Sequence, residues 1–106
     1  MGWEYSLKFD YPQWLSQNKE QIVDVIRALP SYVERKSEEE IWLKDRKSTH
    51  SWEYEVRLFL EEESIFIEVS AWSDAFYRDV KNLFEQLSSQ TNVRLIDDDN
   101  ERVVLS

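Results

Sequence analysis

Cysteine is absent from this sequence, and histidine, glycine and proline are scarce, at one, one and two residues in 106. Without cysteine there is no disulfide framework, no thiolate nucleophile and no sulfur-ligated zinc or iron–sulfur centre. A single imidazole excludes a metal site built on two histidines and leaves His50 as the only base from which a serine triad could be made. His50 sits in the polar run Ser48-Thr49-His50-Ser51, a loop composition in which a solvated histidine is expected. One glycine cannot furnish the repeated-glycine loop that lets backbone amides approach a phosphate. Apolar runs are only a few residues long, well short of the roughly 20 that a membrane-crossing helix needs. Met1 to Asp10 lacks the cationic start and apolar stretch of a secretory leader, so a cytoplasmic protein is expected. Met1-Gly2 with Ser6 fits the loose myristoylation pattern, but the same residues are accounted for as the beginning of a strand.

Acid and aromatic residues are abundant. Asp and Glu number 22 against 13 Lys and Arg, a formal charge of −9, and there are five each of Trp, Tyr and Phe. An apolar fraction of 42% is enough for one core, and the length suits one domain spanning residues 1–106. The negative charge is uneven: residues 61–106 hold eleven acids and four bases, which is −7 of the −9. Such a surface repels nucleic-acid phosphate and anionic lipid and favours a basic partner. The one basic cluster, Arg35, Lys36, Lys44, Arg46 and Lys47 near Trp42, is nearly neutralised by Glu38, Glu39, Glu40 and Asp45. Nucleic-acid binding is therefore not expected.

Periodicity sets the layout. Trp3, Tyr5, Leu7 and Phe9 alternate with Glu4, Ser6, Lys8 and Asp10, the pattern of a half-buried strand. Asp10 and Gln13 read as a capping box with Pro12 in the first turn, opening a helix whose apolar stripe is Leu15, Ile22, Val25, Ile26 and Leu29. Two short strands follow, Tyr32 to Lys36 and Ile41 to Asp45. A hairpin is expected next, with Trp52, Tyr54, Val56, Leu58 and Leu60 on the apolar face of one arm and Ile65, Ile67, Val69 and Ala71 on that of the other. Ser73 is a candidate N-cap for a helix carrying Phe76, Val80, Leu83, Phe84 and Leu87. Val93 to Ile96 and Arg102 to Leu105 read as a terminal hairpin. The order β-α-β-β-β-β-α-β-β predicts a two-layer α+β sandwich, a mainly antiparallel sheet with two amphipathic helices on one face.

Candidate binding residues fall into two groups. Glu61, Glu62 and Glu63 form one acidic triplet at a turn tip; Asp97, Asp98 and Asp99 form another, and together they are read as one acidic surface for a cationic partner. Asp97, Asp99 and Glu101 have the spacing that begins a calcium loop, but Arg102 stands where that loop needs glycine, so no metal is expected. The second group comprises Trp42, Phe59 and Phe66 with Glu68. If Ile41 and Leu43 and the two hairpin series face the helices, these aromatics point to the other side among charges, a mixture typical of binding hot spots. Trp3, Trp14 and Trp52 are expected in the core. No nucleophile, base or cofactor motif emerges, so an enzyme is not expected and no cofactor is implied.

In length, acidity, lack of catalytic motifs and α+β layout the chain resembles bacterial toxin-immunity proteins, including those of contact-dependent growth-inhibition systems. The resemblance is one of whole-chain character, without a shared motif, and transfers no residue role. It implies a non-enzymatic binder that neutralises a cognate basic toxin domain, often a nuclease. Self-association into a homodimer or regulatory domain through the open sheet face, and mimicry of DNA by spaced carboxylates, are the competing expectations.

Overall fold

The computed structural model describes residues 2–47 and 52–105. Its order is β1 (Trp3–Phe9), α1 (Pro12–Gln17), α2 (Lys19–Arg27), β2 (Tyr32–Arg35), β3 (Glu40–Leu43), β4 (Val56–Leu60), β5 (Ser64–Val69), α3 (Asp74–Ser88) and β6 (Val93–Asp97). The six strands form one sheet ordered β2-β3-β4-β5-β1-β6, with every neighbouring pair antiparallel. This is the α+β layout expected from the alternation. One helix is gained and the final strand is lost relative to the order read from the sequence.

The gain comes from a break at Asn18. A single helix is expected there, but Asn18 takes φ −117° and ψ 20° and gives both its backbone N–H and its Nδ2 to the Trp14 carbonyl, at 3.0 and 2.8 Å. An amide side chain that competes for local carbonyls ends a helix. The Asn18 carbonyl then accepts from Ile22 N at 3.0 Å and starts α2. The expected capping box does not form either: the N-cap is Tyr11, without a side-chain cap. Asp10 instead pairs with Arg94 at 3.3 Å and holds its backbone N–H on Asn92 O at 3.0 Å. Ser73 does cap α3, its Oγ accepting from Phe76 N at 3.4 Å.

The expected strand from Trp52 begins its regular ladder only at Val56, because the alternation slips at Glu55. Glu55 and Val56 are consecutive and both buried. Glu55 Oε1 accepts from Asp45 N at 2.9 Å, and Asp45 accepts from the Lys47 backbone N–H. Upstream of the slip, Tyr54 turns to the opposite face and Trp52 is 48% exposed rather than in the core. Trp3, also expected inside, is 46% exposed, while Trp14 stacks on Phe9 at 6.0 Å. The arm after β6 makes one bridge, Ile96 to Arg102, instead of a strand. Its turn is closed by Asn100 at φ 63°, a left-handed conformation that asparagine tolerates. The single glycine marks a close approach: a Cβ on Gly2 would lie 2.7 Å from the Val69 carbonyl oxygen.

One buried cluster joins the layers. Leu7, Ile41, Leu58, Ile65 and Ile67 from the sheet meet Ile22, Val23 and Ile26 of α2 and Phe76, Val80, Leu83 and Leu87 of α3. Full burial of each such side chain contributes about 1.5–3 kcal/mol. A buried polar link supplements it: Asp79 of α3, 1% exposed, accepts from the Ser31 backbone N–H at 3.1 Å and from Arg78 Nε at 3.4 Å.

Candidate binding face

Alternation that sends Ile41, Leu43, Leu58, Ile65 and Ile67 inward turns Trp42, Arg57, Phe59, Phe66 and Glu68 outward. The register then sets them in two rows across the strands. One row runs Glu34, Trp42, Arg57, Glu68, Glu4, and the next runs Glu40, Phe59, Phe66, Ser6. Four of the residues singled out in the sequence, Trp42, Phe59, Phe66 and Glu68, are thereby neighbours on one surface.

The contacts form a continuous chain. Lys36 Nζ lies 4.4 Å from the Trp42 ring centroid, and Trp42 Nε1 donates to Glu40 Oε2 at 2.6 Å. Tyr54 packs against Trp42 at 4.7 Å. Arg57 lies over both Tyr54, at 4.8 Å, and Phe59, at 5.4 Å. Its Nε donates to Glu68 Oε1 at 2.9 Å and its Nη2 donates to the same oxygen. That hydrogen bond raises the Arg57 pKa, against the opposing effect of burial. Phe59 and Phe66 close the chain with ring centroids 6.0 Å apart. All six side chains from Trp42 to Glu68 are half-buried, held by their neighbours yet reachable from outside.

The acidic triplets behave differently. Lys8 pairs with Ser64 on one side and Arg94 on the other, so Glu63 stands at the level of the Arg94 end of the sheet. Asp97 lies three positions further along β6, about 10 Å away at 3.4 Å per residue, and Asp98 and Asp99 lie beyond it. Glu61 to Glu63 and Asp97 to Asp99 therefore follow strands toward opposite ends of the sheet. Asp97 and Asp98 border a depression with Glu4, Lys8 and Phe66 and so adjoin the outer face. Glu61 and Glu62 instead border a depression with Lys19 and Glu39 toward the helices. The three Asp carboxylates can come within 4.8 Å of one another, but Asp97 Oδ1 already accepts from the backbone N–H groups of Asp99 and Glu101, at 3.0 and 2.9 Å, in stabilising its turn. His50 lies outside the described residues.

Sequence reasoning missed Tyr54, whose place depends on the slip at Glu55. It also missed the joining role of Arg57, although the Trp42–Arg57 and Arg57–Glu68 pairs follow once strand neighbours are known. Chemically the surface offers aromatic faces, a guanidinium held by a carboxylate, and an acidic border at Glu4, Asp97 and Asp98. Those are means of binding. Comparison with family models, curated proteins and solved structures finds no match to this chain.

Proposed function

We propose that this protein is a non-enzymatic binding module that docks a basic protein partner on the outer face of its sheet. The observation that carries the reading is the chain Trp42, Tyr54, Arg57, Phe59, Phe66, in which every residue but Tyr54 is borne on a strand, bordered by acids. Trp, Tyr and Arg supply most of the energy at protein interfaces, and a charged rim excludes water around them. Strand-borne side chains that already touch one another lose little freedom on binding, which lowers the cost of association. The resemblance to toxin-immunity proteins supports a cytoplasmic partner of a particular kind, a cationic toxin domain that the module blocks. Nanomolar neutralisation needs about 12 kcal/mol, more than exposed charges alone supply at physiological salt, so the aromatics are assigned most of the complex lifetime.

Co-expression with the product of the neighbouring gene tests this. A stoichiometric complex and rescue of growth are expected. Trp42→Ala is expected to weaken the complex by about 30-fold or more, the equivalent of 2 kcal/mol, chiefly through faster dissociation. Absence of a complex, or a complex indifferent to both Trp42→Ala and Phe66→Ala, would overturn the proposal.

A further inference from the structure

A second concavity lies on the helix side of the sheet, at the start of α3, and is independent of the outer face. Its volume is about 540 Å³, within the range of small-molecule sites. The floor is apolar and buried, with Ile67 fully covered and Leu95 only 3% exposed. One corner is made by Tyr5 and Trp72, whose rings meet at 61° with centroids 5.7 Å apart. The facing wall is α3, where Asp74 and Tyr77 fall three residues apart and hence on the same side of the helix. Residues 103–105 of the terminal segment form the remaining side.

We infer that this pocket binds a small organic cation, an ammonium group carried on an apolar body. Three aromatic side chains, Tyr5, Trp72 and Tyr77, line one space, and aromatic ring faces attract a cation. Among the described residues of the lining, Asp74 supplies the one formal charge, and it is negative. Among the described residues Asp74 makes no ion pair, and Arg78, one turn further on, is directed to Asp79 at 3.4 Å. A cation seated at that rim gains a counter-charge, whereas an anion meets Asp74 and a molecule of charge −9. The buried floor cannot solvate a charge, so the ammonium sits near Asp74 and the apolar body of the ligand fills the space above Ile67 and Leu95.

Phenethylamine and its neutral counterpart 2-phenylethanol, titrated separately into the intact protein at neutral pH, test the assignment through the side-chain NMR resonances of Trp72 and Tyr77. The amine is expected to shift both and to bind more tightly than the alcohol by roughly 2- to 30-fold, the span of one cation–π contact. Asp74→Asn, at an exposed position whose helix is capped by Ser73, is expected to retain the fold and to narrow the amine's advantage over the alcohol, leaving only the share that the aromatic rings supply. Equal binding of the two compounds, no shift at Trp72 at millimolar amine, or full amine affinity in Asp74→Asn would each overturn it. So would a lysine-rich peptide that shifts the same resonances more strongly than phenethylamine, since the pocket would then belong to a protein side chain.

Discussion

Glu20 and Arg35 join α2 to β2 by a two-pronged contact, Arg35 Nη1 and Nη2 donating to the two Glu20 carboxylate oxygens at 3.1 and 3.0 Å. The hydrogen bonds from Arg35 hold the Glu20 carboxyl below its ordinary value of 4.5. Asp45 is held below 3.8, first by the Lys47 backbone N–H and then by Ser73. A carboxyl whose pKa is lower in the folded state stabilises the fold above its unfolded value, and that contribution disappears as the pH falls through the folded value. Glu20→Gln is therefore expected to lower the urea midpoint at pH 7, with the gap to the parent closing below pH 4.5 as Glu20 protonates. A gap that persists or widens in acid would show that the pair acts by packing and not by charge. Neither carboxyl could be selected from the sequence, since 22 acids offer many formal partners and only the folded distances choose among them.

Elements were legible where one face is covered and one is open. The strands Ile41 to Leu43 and Ile65 to Val69, and the stripe from Phe76 to Leu87, lie as periodicity predicts because burial alone decides their orientation. Elements set by competing polar contacts were not legible. Asp10 has cap chemistry but meets Arg94, a residue distant in sequence. Tyr54 continues the alternation of Val56 and Leu58 on paper, but the buried Glu55 carboxylate takes the Asp45 N–H and reverses the phase. The candidate binding face was correspondingly half visible: Trp42, Phe59 and Phe66 followed from alternation, whereas Tyr54 and the placement of the two acidic triplets required the register. Asp79 shows the same kind of contact at the docking of α3. Asp79→Ala leaves the buried Ser31 N–H without its acceptor and is expected to cost about 1–3 kcal/mol in denaturant unfolding. Asp79→Asn, which retains an acceptor, should cost less; equal losses would mean that the N–H is satisfied elsewhere.

On the scale of the whole molecule, charge is spread more widely than its sequence distribution suggests. The two acidic triplets of the C-terminal excess lie toward different ends of the sheet, so the proposed basic partner would meet a broad negative field. Such a field accelerates encounter and is screened over about 8 Å at physiological ionic strength. For the proposed complex, raising salt from 50 to 500 mM is expected to slow association by about tenfold or more while changing dissociation by less than about threefold, as stopped-flow fluorescence would report. An association rate insensitive to salt would remove charge from the recognition step. The sheet order also bears on how the chain reaches this state. β1 lies between β5 and β6, so the first of the six strands in chain order has both its hydrogen-bonding neighbours among the last two. The β2-to-β5 meander can assemble from local turns, but β1 has to wait for residues 64–97. During translation its apolar side, Leu7 and Phe9 included, is an unsatisfied strand of the kind that chaperones hold, and closure of the sheet around it is a late event in the birth of the molecule.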